Sequence, residues 1–185
     1  MAGIQQGLIG SLYGAVGDFE SIATATPSGT STVTFSAIPQ TYKHLQVRIL
    51  GRSSAVAQTD YIYCWINEDT TTSKYAYHYL RGDGTTASAG GSASSTSAYA
   101  GFANASSALA NTFGVSIIDI FDYTSTNKYK TTRAIGVEDR NTVGGNVWMF
   151  SNVFMDTSAI TSLQIKMVAG NFEANSHVAL YGIKG

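Results

Sequence analysis

The chain has 185 residues, enough for one domain with a hydrophobic core of its own. Only 12% of them are charged, and 11 Lys and Arg against 12 Asp and Glu leave a formal net charge of −1. With no basic run anywhere, a surface that neutralises phosphates is excluded, and nucleic acid is not an expected partner. A surface so poor in charge also lacks the usual protection against self-association, so a homo-oligomer is expected.

Residues 1–17 do not alternate. Ile4, Leu8, Leu12 and Tyr13 fall near helical spacing, but Gly3, Gly7, Gly10, Gly14 and Gly17 punctuate the segment, and each glycine costs a helix about 1 kcal/mol relative to alanine. The segment reads as a short N-terminal arm that orders when those four apolar side chains dock on another surface. It has neither a basic n-region nor an unbroken apolar stretch, so neither a secretory signal nor membrane insertion is expected.

From residue 18 onward the signal is period two in short runs separated by turn residues. It predicts strands over Glu20–Thr26, Thr32–Ala37, His44–Gly51, Tyr61–Asn67, Tyr75–Arg81, Gly114–Phe121, Lys130–Glu138, Asn146–Phe154, Ser162–Val168 and His177–Ile183. About ten strands at this spacing predict an all-β fold, a jelly-roll-like β-sandwich filling residues 18–185. In His44–Gly51 the residues Leu45, Val47 and Ile49 share one face and His44, Gln46 and Arg48 the other, a half-buried strand. Tyr61–Ile66 and Val147–Met155 are apolar on both faces, and a two-layer sandwich covers only one of them. A loop or a neighbouring subunit must cover the second, and Tyr63, Trp65, Tyr75, Tyr77, Trp148 and Phe150 are the expected source of intersubunit contacts.

Residues 82–107 are rich in Gly, Ala, Ser and Thr and read as a long loop, with Arg81-Gly82-Asp83 as the turn that opens it. Arg81, Asp83, Tyr99 and Phe102 mark it as an assembly element or a contact surface, according to whether the two rings are buried against a neighbour or exposed at a tip. The single cysteine, Cys64, reads as a buried small hydrophobe.

Catalytic chemistry has no pattern behind it. The three histidines, His44, His78 and His177, sit in predicted strands with no GxSxG turn nearby, and no HExxH, EF-hand or CxxC spacing occurs. The carboxylate groupings Glu68/Asp69, Asp119/Asp122 and Glu138/Asp139 read as turn or strand-end residues. No catalytic residue, metal ligand or cofactor is expected.

The stretches DFESIATATPSGTSTVTFSAIPQTYKHLQVRILGRSS, GVSIIDIFDYTSTNKYKTTRA and SHVALYGIKG, with the opening MAGIQQGLIGSL, resemble a family of small β-rich virion structural or tail-fibre-like proteins of tailed bacteriophages. The resemblance implies a virion structural or tail-fibre-like protein without an active site. With the glycine-rich start, the two-faced strands and the absence of catalytic patterns, the expectation is a non-enzymatic surface appendage of tail-fibre or receptor-binding type, a homotrimer docked to other tail or capsid proteins by residues 1–17 and touching host surface glycan. Two other placements follow from the same residues, a capsid decoration or cement protein on the phage head and, more remotely, a glycan-degrading enzyme.

Overall fold

The computed structural model describes residues 17–142 and 144–185; Ile4, Leu8, Leu12 and Tyr13 of the expected docking arm lie outside them. The described chain is all-β. Its twelve strands are β1 (Phe19–Ala25), β2 (Thr32–Phe35), β3 (His44–Gly51), β4 (Thr59–Ile66), β5 (Tyr75–Gly82), β6 (Ala87–Ser95), β7 (Ala98–Asn104), β8 (Gly114–Ile120), β9 (Lys130–Thr142), β10 (Gly144–Phe154), β11 (Leu163–Met167) and β12 (His177–Ile183). They form a sandwich of two antiparallel sheets, one of eight strands in the order β1-β12-β3-β8-β9-β10-β5-β6 and one of four in the order β2-β11-β4-β7.

The expected sandwich is therefore what the chain forms, with one correction. Residues 82–107 are not a loop: β5 and β6 make a hairpin in the large sheet, and β7 is an edge strand of the small one. The small side chains are what allow this. A Cβ on Gly90 would meet the Tyr79 ring at 2.8 Å, so the ring lies directly on the β6 backbone. Gly101, at φ +143°, brings β7 against the large sheet, where an added Cβ would meet Ser116 Oγ at 2.0 Å and the Gly136 Cα at 3.9 Å. Strands that bury backbone instead of side chains carry no hydrophobic alternation.

The core lies between the sheets. Leu45, Val47 and Ile49 of β3 are buried as their alternation predicts, with Ile62, Cys64 and Ile66 of β4 in the same cluster. Two buried polar groups tie the proximal end, where the chain enters β1. The Tyr75 hydroxyl donates to the Asp69 carbonyl (2.9 Å) and accepts from the Ile66 amide (3.0 Å). Lys130 is fully buried, and its Nζ donates to the carbonyls of Ser125 (2.6 Å), Lys128 (3.1 Å) and Thr157 (3.0 Å). Burial pushes its pKa down, and the three carbonyls satisfy all of its donors.

Two outcomes follow. Lys130→Ala strands three carbonyls at the foot of β9 and should cost about 3 kcal/mol, read as a lowered urea midpoint. Cys64 is buried and its thiol is pushed up to about 12, so iodoacetamide should modify it only after denaturation; modification of the folded protein at neutral pH would contradict its place in the core.

Candidate functional site

The outer face of the large sheet is apolar over its distal half. Strand register aligns Leu50, Val115, Val137 and Val147 in one row and Ile117, Ile135, Met149 and Leu80 in the next. Each of these side chains is 38–58% exposed. Together they present roughly 600 Å² of contiguous apolar surface, at the upper end of what a monomer leaves open. A third row, toward the proximal end, is polar: Gln46, Asp119, Arg133, Ser151 and His78. There Asp119 accepts from Gln46 Nε2 (2.8 Å) and Arg133 Nη2 (2.6 Å), so its carboxylate is committed to pairing. The second apolar face of Val147–Met155 is thus left uncovered by the described residues.

The aromatic residues expected at an interface lie elsewhere. Tyr75 and Phe150 are fully buried inside the subunit and cannot meet a neighbour. Tyr77 and Trp148 are half-buried and pack on the same core. Tyr63 and Trp65 are half-buried on the outer side of the small sheet, Tyr63 donating to the Tyr99 hydroxyl (3.2 Å) and Trp65 lying under the Lys166 ammonium (5.2 Å). Tyr99 and Phe102 are neither at a tip nor left for a neighbour. Phe102 stacks on Trp148 at 4.2 Å and Tyr99 on Phe150 at 5.3 Å, and with Tyr61, Tyr77 and Tyr79 they line a cleft of about 200 Å³. Burial pushes the hydroxyls of Tyr77 and Tyr99 up to about 12, so neither of these two serves as an acid or base near neutral pH. Aromatic rings favour their own core because each buries a large area and stacks.

Arg81-Gly82-Asp83 ends β5 as a closed turn. Asp83 Oδ1 accepts from the amides of Thr86 (2.8 Å) and Thr85 (3.1 Å), and its Oδ2 lies 3.4 Å from Arg81 Nη2. Arg81 in turn stacks over Trp148 (5.1 Å) and donates to Asn146 Oδ1 (2.6 Å). Asn146 Nδ2 donates to the buried Glu138 carboxylate, whose second oxygen lies 3.1 Å from Arg140 Nε. Neither end of the triplet is displayed as a free side chain.

The distal end also carries a broad, open recess, missed by sequence reasoning because its residues are scattered from 28 to 175. Four loops meet there around Arg52, which is buried and donates to Glu173 Oε2 (2.9 Å) and to the carbonyls of Leu109 (2.9 Å), Thr112 (2.9 Å) and Ala108 (3.3 Å). The recess measures about 610 Å³.

Among the described residues no group of three or more His, Cys, Asp or Glu is placed to hold a metal ion. His44 Nδ1 accepts from the Asp122 amide (3.0 Å), which fixes its ring at the proximal end. Glu68/Asp69 separate functionally, since Asp69 pairs with Lys74 at 2.7 Å, and the Asp119 and Asp122 carboxylates are bound to different cations.

Several carboxylates are held below their ordinary range: Asp122 at about 2 by Lys128 and then Lys43, Asp69 by Lys74, Asp83 by the Thr86 and Thr85 amides, Glu20 by Lys184. Burial moves Glu138 the other way. A lowered folded value contributes stability above the unfolded pKa of about 4 and loses it as the pH falls toward the folded value. Glu138 relieves its own penalty as the pH falls through its raised value toward the ordinary one, and it is one group against five, since Asp156 is likewise held low by the Ser158 amide and then Lys74. The urea midpoint should therefore fall between pH 4.5 and pH 2.5, and a midpoint that is constant or rises would contradict these pairings. Comparisons with protein-family models, with curated proteins and with solved structures give no match for this chain.

Proposed function

We propose that the protein is a non-enzymatic structural subunit of a tailed-bacteriophage particle, a surface appendage whose copies assemble as a homotrimer through the apolar rows of the large sheet. The observation that carries the reading is the roughly 600 Å² of aligned Leu, Val, Ile and Met side chains, which approaches the ~800 Å² each partner contributes to a standard interface. At ~25 cal/mol per Å² its burial contributes about 15 kcal/mol, on the scale of the association cost. The low charge of the whole chain and the sequence resemblance support the same reading.

The subunit has a polarity that suits an appendage. Phe19, His44 and Ile183 lie at one end of the large sheet and Gly51, Gly114 and Gly82 at the other. Gly17, where the described chain begins, lies just before β1 at the first end, so docking through the residues before it would turn the distal loops away from the particle.

Size-exclusion chromatography with light scattering should give three times the 19.6 kDa subunit mass. Ile135→Asp with Met149→Asp, at side chains 47% and 46% exposed, should give a monomer with unchanged circular dichroism. Monomeric wild-type protein at tens of micromolar, or an oligomer that survives the double substitution, would overturn the interface. Gold-labelled antibody on intact particles should mark the tail; labelling of the head would make the protein a capsid decoration instead, and unlabelled particles would overturn the virion reading.

A further inference from the structure

The distal recess has the construction of a binding site. Its walls are cross-linked by backbone hydrogen bonds: Gly29 N to Phe172 O (2.8 Å), Phe172 N to Thr30 O (2.8 Å), Ser54 N to Asn171 O (2.9 Å) and Glu173 N to Arg52 O (2.8 Å). The Arg52 guanidinium holds the 108–112 loop and Glu173 in one network. Beside it the Asp60 carboxylate is buried and accepts from Ser53 Oγ (2.7 Å) and from the amides of Ala169 (3.0 Å) and Gly170 (3.0 Å). Loops fixed in this way present their side chains at little further ordering cost.

The groups they present are uncharged or neutralised. Asn111, Asn171 and Asn175 line the recess, and their carboxamides make no hydrogen bond to the described residues. Asn111 and Asn175 sit at φ +65° and +68°, which fixes where their side chains leave the backbone. Glu173 keeps Oε1 open while Oε2 neutralises Arg52. The half-buried ring of Phe113 completes the lining. A carboxamide donates and accepts at once, as a pair of neighbouring sugar hydroxyls requires, and an aromatic ring receives the C–H face of a pyranose. With its one cation matched by its one anion, the recess has nothing to select a charged ligand. Its 610 Å³ falls within the range of small-molecule sites.

We propose that this recess binds a neutral saccharide, one or two pyranose rings of a surface polysaccharide. Only the biological setting of that contact rests on the appendage reading; the binding belongs to the isolated protein. None of its lining residues belongs to the apolar rows.

The test is an array of neutral and anionic bacterial-surface oligosaccharides probed with the intact oligomer, followed by amide chemical-shift mapping with the best neutral ligand. Shifts should cluster in residues 28–30, 109–113 and 171–175. Asn111→Gly with Asn175→Gly removes both carboxamides while keeping residues that accept positive φ; it should weaken binding at least tenfold with oligomer mass and circular dichroism unchanged. Failure of every neutral glycan to bind, preference for anionic glycans, shifts centred in the Tyr61–Phe102 cleft, or full affinity in the double variant would each overturn the proposal. None of these outcomes bears on oligomer mass or particle location, so the two readings fail separately.

Discussion

The close approach of β7 to the large sheet at Gly101 governs much of what surrounds it. An added Cβ there would lie 2.0 Å from Ser116 Oγ, so β7 rests almost backbone to backbone on β8 and β9. That contact settles the height of the small sheet over the large one. From it follow the stacking of Phe102 on Trp148 and of Tyr99 on Phe150, and the placing of Asn104 in a parallel bridge with Arg52. The 105–113 loop then begins where Arg52 can bind it. The aromatic cleft and the distal recess are both set by one pair of strands that has no room for a side chain.

The mismatch between an eight-stranded and a four-stranded sheet explains the division of labour among apolar residues. Strands β10 and β5 turn their aromatic face toward β7 and β4, whose rings meet them. Their aliphatic face, with Val147, Met149 and Leu80, faces outward. Large rings gain more from burial than Val or Met do, so the fold buries the rings and leaves the aliphatic rows exposed.

Most of the fold was legible because short strand-like runs separated by turn residues recur along the chain, and Leu45, Val47 and Ile49 fell on the buried side as read. Strands β6 and β7 were not: β6 is an exposed edge strand of Gly, Ala and Ser, and in β7 the small residues Ala98, Ala100, Gly101 and Ala103 are buried on both faces, so neither shows a pattern of large apolar positions. Alternation also shows which residues share a face but not which face is inside. Trp148 and Phe150 were therefore read as an outer surface when Val147 and Met149 form it. The distal recess left no local trace: Arg52, Asn111 and Glu173 carry no motif in their own segments, and only the topology collects them.

The path of the chain between the two sheets bears on how the molecule comes to be folded. β1, β3 and β12 belong to the large sheet, while β2, β4 and β11 lie in the small one. β1 and β3 are neighbours only through β12, which pairs with both. During synthesis the large sheet thus cannot close until residues 177–183 have left the ribosome; until then β1 has no partner strand and β3 keeps one open edge.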